Sequence, residues 1–356
     1  MARRNTRLLR RSPQIEILEW TMPIAGSPRL IGGSRAACGT SFMVPELDIL
    51  LDAGTSINNH FRPRNVFVTH GHNDHSVLLP TLTLGRGPGR GRTNIFCPAP
   101  LRPVVERYIM DSHLLSIGDL RAAGVDKNAL HLNGDGLFHR LFGRTCRSHG
   151  LYIGDRLSLP GSPKIRVLAV SCDHTVPCLG YVFSRVEVRV KAEYAGLSEA
   201  ECLALACAGA QVHDTTDTPL FAFLGDTAAT TLAATPPWLG TPPPLPRPLR
   251  PLRPPPPPPS RLPSYRRADT AMCGAPTPTA KSIPVVITEC TYLYEMHRTN
   301  ANASKHTVWP DLEPIVRRWP QTTFVLIHFS LRYHPDEINR FFDRMRERPK
   351  NILVWV

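Results

Sequence analysis

The sequence predicts a layered α/β domain. Two observations point there: short apolar segments of strand character alternate with helical segments along the chain, and a cluster of metal-ligand side chains follows directly on one such strand. Taken in order, the expected strands are Leu47–Leu51, Asn65–Thr69, Asn94–Cys97, Ile165–Val170, Leu220–Leu224, Val285–Thr288, Thr323–Ile327 and Ile352–Val356. They are rich in Val, Ile, Leu and Phe and are bounded by Pro, Gly, Asp or Asn, which mark turns. The expected helices are Ser76–Leu84, Arg102–Leu115, Ser198–Ala208, Asp311–Arg318 and Pro335–Arg346. The last has a proline at its first position, with Asp336 and Glu337 in its first turn, where the helix dipole favours acids.

The chain has 356 residues, of which 42% are apolar, enough for a substantial core. No stretch approaches the roughly 18 uninterrupted apolar residues of a membrane-spanning helix, so no membrane partner is expected. Forty-two basic residues against 29 acidic ones leave a net charge of +13, which favours polyanions and nucleic acid above all. The nine cysteines are scattered, odd in number and free of any CxxC pair. With no secretory signal recognised, they read as reduced thiols of an intracellular protein.

Three segments stand apart. Residues 1–14 carry Arg3, Arg4, Arg7, Arg10 and Arg11 and no acid, as a basic disordered arm or a targeting segment would. Residues 236–263 hold 15 of the 37 prolines. Such a stretch can neither pair within a sheet nor continue a helix, so an exposed insertion is expected, with a ligand for proline-recognising modules as the alternative. Gly85–Arg92 reads as a flexible basic loop or a phosphate contact. It lacks the GK[ST] ending of a phosphate-binding loop. The remainder, 15–356, is expected to form one domain around the 236–263 insertion.

The most informative segment is Asn65–His75. Here an apolar strand runs into His70, His72, Asp74 and His75, four potential ligands within six residues. Imidazole nitrogen and carboxylate oxygen suit zinc, and such mixed sites also accept manganese or iron. His174, Asp226 and His328 each follow another expected strand, and Asp52 ends a fourth. Alone, each would pass for a hydrogen-bonded structural residue.

The HxHxDH segment followed by a lone His, a lone Asp and a final His resembles the signature of the metallo-β-lactamase superfamily. Within it the chain resembles the tRNase Z family in its short, plant-like form. The resemblance runs from about Gly32 to His334 through VPCLGYVF (Val176–Phe183), VKAEYAGLS (Val190–Ser198), FLGDT, ITECTYL (Ile287–Leu293), KHTVWPDL (Lys305–Leu312) and HFSLRY. It implies an αβ/βα sandwich of two mixed sheets flanked by helices. It also implies two zinc ions, one held by His70, His72 and His174, the other by Asp74, His75 and His328, with Asp226 bridging them. Asp52 would orient a histidine of the first motif rather than bind metal.

Beyond the ligands, the resemblance places Glu289 and His306 as a proton relay to the leaving 3′-oxygen, and with Asp74 they form the candidate catalytic set. Thr288 and Val308 stand where some relatives have histidine, and no long glycine- and proline-bearing arm is recognised. The implied activity is removal of the 3′ trailer from pre-tRNA by a homodimeric enzyme. Another hydrolase on the same metal site, or an inactive RNA- or partner-binding module, remains open. So do cytoplasm, nucleus and mitochondrion.

Overall fold

A computed structural model describes residues 15–56, 62–83, 91–117, 135–241 and 282–356. The expected basic arm, most of the Gly85–Arg92 loop and the 242–263 part of the proline-rich stretch lie outside the described residues.

Two mixed seven-stranded sheets face one another, each half antiparallel and half parallel. The first runs in sequence order through β1 (Leu18–Thr21), β2 (Arg29–Arg35), β3 (Gly39–Val44), β4 (Ile49–Leu51), β5 (Asn65–Phe67), β6 (Thr93–Pro98) and β7 (Cys146–Leu151). The second runs through β8 (Arg156–Leu159), β9 (Ser162–Ser171), β10 (Leu179–Val190), β11 (His213–Phe223), β12 (Val285–Glu289), β13 (Thr323–Ile327) and β14 (Ile352–Val354). Pairing is antiparallel from β1 to β4 and from β8 to β11, and parallel from β4 to β7 and from β11 to β14.

Between the sheets lies an aromatic core in which Phe42, Phe67, Phe183, Phe221, Phe223 and Trp355 are nearly or fully excluded from water. Helices α2 (Leu79–Thr83), α3 (Arg102–Ile117) and α4 (Asp135–Phe142) cover the outer face of the first sheet. Helices α6 (Thr230–Ala233), α8 (Trp309–Arg318) and α9 (Pro335–Asp343) cover that of the second. This is the expected helix–sheet–sheet–helix sandwich, and hydrophobic burial on both faces of each sheet holds it.

Several expectations change. The helix expected over Ser76–Leu84 is two short ones, α1 (Asn73–Ser76) and α2. Pro80 has no N–H for the Ser76 carbonyl and its ring crowds that group, so one helix cannot run through. Helix α1 therefore holds Asp74 and His75 itself instead of following them. Strands β1, β2, β3, β7, β8 and β10 were not expected. In Arg29–Arg35 and Gly39–Val44, Gly and Ser read as turn residues, yet both strands are largely buried.

The outer halves of β10 and β11 form a ribbon. Residues 186–190 pair only with 213–217, beyond the reach of β9 and β12. At its end is helix α5 (Glu199–Cys207), whose N-terminus is closed by a reciprocal capping box between Ser198 and Glu201. Residues 186–190 alternate as Val-Glu-Val-Arg-Val, the pattern of a half-buried strand, yet Val188 and Val190 are exposed because nothing among the described residues packs against the ribbon there.

The proline-rich stretch begins inside the packed structure. Pro237–Leu239 forms a 3-10 turn and Leu239 is fully buried in the core under α6 and α8. Thr241 and Ser282 meet, the Ser282 hydroxyl donating to the Thr241 carbonyl at 3.2 Å, and Ile283 N donates to Leu239 O at 3.2 Å. Replacing 242–281 by a short Gly/Ser loop should therefore leave metal content and folding intact, because the ends are already together. Leu239→Ala should cost about 2–5 kcal/mol for the cavity it leaves. Urea unfolding of both variants checks this, and insolubility of the loop replacement would make the removed stretch structural.

Candidate metal centre

Six side chains of the candidate site leave the carboxyl ends of strands. Asp52 follows β4, His70 follows β5, His174 follows β9, Asp226 follows β11, Glu289 ends β12 and His328 follows β13. The parallel halves of both sheets thus deliver them to one edge of the sandwich. His72, Asp74 and His75 join them from the start of α1, whose N-cap is His72.

Two glycines make the approach possible. A Cβ on Gly54 would lie 1.6 Å from the Asp74 carbonyl oxygen, so only glycine lets α1 close over the end of β4. Gly225, at φ +62°, would carry its Cβ 2.6 Å from Thr69 Oγ1.

Two groups of donor atoms result. His70, His72, His174 and Asp226 form the first, with all their ligand atoms within 4.8 Å of one another; Asp74, His75 and His328 form the second. Asp226 links them. Its Oδ2 is 3.7 Å from His70 Nε2 and 4.0 Å from His174 Nε2, while its Oδ1 is 3.3 Å from His75 Nε2 and 3.4 Å from His328 Nε2. Between rings, His70 Nε2 is 3.1 Å from His72 Nδ1, His174 Nε2 is 3.3 Å from His72 Nδ1, and the Nε2 atoms of His75 and His328 are 3.4 Å apart.

Two nitrogens bound tetrahedrally to one zinc at about 2.0–2.1 Å would stand roughly 3.3–3.4 Å apart. The imidazoles keep that spacing. Asp226 Oδ1 is buried and accepts no hydrogen bond despite its neighbours, because the rings aim at shared points and not at the oxygen. The donor set fits metal binding.

The outward nitrogens are fixed by partners. Asp52 Oδ2 accepts from His75 Nδ1 at 2.7 Å, and its carboxylate is held in turn by Thr69 N at 2.7 Å. Thr69 Oγ1, 2.9 Å from Asp52 Oδ2, is left to accept from His70 Nδ1 at 3.0 Å. His174 Nδ1 donates to the Lys305 carbonyl at 3.3 Å, and His328 Nδ1 to Thr291 Oγ1 at 3.1 Å. Each of these four rings therefore turns Nε2 inward, whereas His72 presents Nδ1. Thr69, Thr291 and Lys305 escaped the sequence reading. No spacing signals a hydroxyl or a carbonyl that acts through a distant imidazole.

Protonation follows the same geometry. Burial, then the neighbouring His75, pushes the His70 pKa well below its ordinary value. Burial opposes charge on His75 as well, but Asp226 and Asp52 outweigh it and raise that pKa well above normal. Burial also opposes charge on Asp226, and the surrounding histidines still hold its pKa far down. Three carboxylates in one buried cluster demand positive charge, which a proton on His75 or a cation supplies.

Beside this set lies a second unit. Glu289, fully buried, accepts from His306 Nδ1 at 2.7 Å, Thr227 N at 2.8 Å and Thr307 N at 3.1 Å, and takes the Thr291 hydroxyl in a very short bond. Burial disfavours charge on His306, but Glu289 prevails and pushes its pKa up to about 9. A nitrogen of His306 lies within 4.8 Å of the ligand atoms of Asp226 and His328.

No family model matches the chain. Among curated proteins, it is 26% identical over 304 residues to the chloroplastic tRNase Z TRZ2 of Arabidopsis thaliana, covering 84% of this chain and 66% of that one. It is 29% identical over 204 residues to the nuclear ribonuclease Z of Triticum aestivum, covering 57% of this chain and 97% of that one. The chain is similar in sequence to curated tRNase Z proteins. The matched stretch spans just under two thirds of TRZ2 and 65% of a second Arabidopsis tRNase Z, TRZ1. A solved structure of the short form of human tRNase Z aligns with 90% of the chain at 13% identity and a TM-score of 0.43. Among the described residues, no helix is long and apolar enough to cross a membrane.

Proposed function

We propose that the chain is a zinc-dependent endoribonuclease that removes the 3′ trailer from pre-tRNA. The observation that carries this is the Asp226 carboxylate, one oxygen toward His70 and His174 and the other toward His75 and His328, with the Glu289–His306 pair alongside. His70, His72 and His174 would hold one ion, Asp74, His75 and His328 the other, and Asp226 both. Bound there, two divalent ions supply the Lewis acidity and the ionised water that phosphodiester hydrolysis needs.

The remaining work falls to the chain. Asp52, Thr69, Thr291 and Lys305 fix the ligand rings in one tautomer. Glu289 keeps His306 oriented and protonated, so that it can give its proton to the 3′-oxygen as the P–O bond breaks. The tRNA keeps a 3′-hydroxyl and the trailer a 5′-phosphate. The names of the relatives support pre-tRNA as substrate, and manganese or iron could replace zinc in the same donor set. A homodimer is the expected assembly, checked by light scattering.

The deciding experiment incubates the purified protein with a trailer-bearing pre-tRNA and, separately, with bis(p-nitrophenyl) phosphate. Cleavage of both, lost to a chelator and restored by zinc, is expected. Hydrolysis of the ester alone would make it a small-phosphodiester hydrolase, and activity on neither would make it a binding module.

A further inference from the structure

A cavity of about 400 Å³ over the metal centre has Tyr292 in its wall, and a second of about 510 Å³ opens at Tyr294, two residues further along the chain. Aromatic rings join the two. The Tyr292 ring centroid stands 5.5 Å from that of His297, His297 stands 6.0 Å from Tyr333, Tyr333 stands 5.8 Å from Tyr294, and Tyr294 stands 5.2 Å from Phe341 on α9. Tyr333 is buried, His297 and Phe341 are half-buried and Tyr294 is exposed, so the line surfaces at the second cavity.

Helix α9 supplies the facing wall. Ile338 and Phe342 are fully buried in the core, which leaves Glu337, Arg340, Phe341 and Arg344, at helical spacing, to line the groove. Arg340 and Arg344 are exposed, and among the described residues neither forms an ion pair with a carboxylate. Arg340 Nε donates only to the Asp336 carbonyl, at 3.0 Å. The neighbouring acids are engaged, Asp336 at 3.3 Å from His334 Nδ1 and Asp343 at 2.5 Å from Arg348 Nη1. Glu337 accepts from the Tyr294 hydroxyl at 3.3 Å, which holds that ring against the groove. Two guanidinium groups therefore face one carboxylate beside an exposed aromatic ring.

This combination suits a single-stranded nucleic acid, whose phosphates meet the cations and whose unpaired base stacks on the ring. A duplex hides its base faces. At the cut in a pre-tRNA the acceptor stem is paired and the trailer is not.

We propose that the single-stranded 3′ trailer runs from the metal centre past Tyr292 and His297 into this groove, with a base on Tyr294 and phosphates on Arg340 and Arg344. This rests on the endoribonuclease reading. Cleavage then depends on trailer length, because a single trailing nucleotide ends inside the first cavity while a longer trailer reaches α9.

The test measures kcat and KM on one pre-tRNA carrying either a single-nucleotide trailer or one of about ten nucleotides, across a salt series. It compares the wild type with Tyr294→Leu and the double variant Arg340→Gln/Arg344→Gln, with zinc content as the folding control. In the wild type the longer trailer should lower KM by about tenfold or more, and the double variant should lose that advantage. Its slope of log KM against log salt on the longer trailer should shrink by about 1.4, two phosphates at about 0.7 each on a single strand. Tyr294→Leu should raise KM for the longer trailer about 5- to 150-fold, the range for one lost stacked base. Arg340→Lys/Arg344→Lys should recover part of the loss. A wild type indifferent to trailer length, or variants that keep its length dependence and salt slope, would overturn the groove while leaving the endoribonuclease reading in place. Equal losses on both trailers would put the groove on the tRNA body and overturn the trailer path. A wild type that hydrolyses bis(p-nitrophenyl) phosphate but neither RNA would overturn both readings.

Discussion

Replacing Asp226 by alanine should strip the centre of metal and abolish hydrolysis of both RNA and ester. Its carboxylate faces both donor groups, with each oxygen within 4.0 Å of two imidazole nitrogens. Its loss removes one ligand from each ion and the negative charge that offsets two cations in a buried pocket. Elemental analysis should show the content falling from about two ions per chain to below one, with activity down by on the order of 10³-fold or more. Asp226→Asn keeps the shape, loses the charge and should fall in the same direction, which separates a metal effect from misfolding. A fully metallated Asp226→Ala protein would remove Asp226 from the ligand set.

The donor side chains were legible in the sequence for a physical reason. His70, His174, Asp226 and His328 each lie within three residues of the end of an apolar strand, and His72, Asp74 and His75 follow His70 within five residues, so the strand ends and the motif spacing together pointed to one edge. Of the residues that orient them only Asp52, which meets His75 Nδ1 at 2.7 Å, was expected; Thr69, Thr291 and Lys305 were not, the last two because their contacts cross the chain. Thr291 reaches His328 over 37 residues and Lys305 reaches His174 over 131. A hydroxyl that accepts from one ring while donating to a carboxylate has no spacing of its own. The missed strands have a similar explanation. Glycine in β2 looks like a turn, but a Cβ on Gly32 would strike the β3 backbone at 2.2 Å, so glycine there serves close strand packing. Arg35 is the sharpest case, a cation that sequence logic leaves on the surface. It is buried because the carbonyls of Ser330 and Tyr333, almost 300 residues away, meet its guanidinium.

The proposed proton-relay role of His306 is separable from a metal role, because the seven proposed ligands would suffice for both proposed ions. His306→Ala should keep its zinc and lose roughly 10²–10⁴-fold in RNA cleavage, the usual range for removing a general acid. The loss should shrink on bis(p-nitrophenyl) phosphate, since p-nitrophenolate departs without a proton and a ribose 3′-alkoxide does not. Glu289 needs a gentler probe. It accepts two buried backbone N–H groups, from Thr227 and Thr307, besides His306, and alanine would leave them unpaired. Glu289→Gln retains the volume and removes the charge that keeps His306 protonated, so it should show the same substrate dependence. The double variant should be little worse than either single one, as expected of residues acting as a unit. The alternative is that His306 is itself a ligand, since it lies within 4.8 Å of the donor atoms of Asp226 and His328. In that case His306→Ala would lose metal and fall equally on both substrates, and the general-acid assignment would be withdrawn.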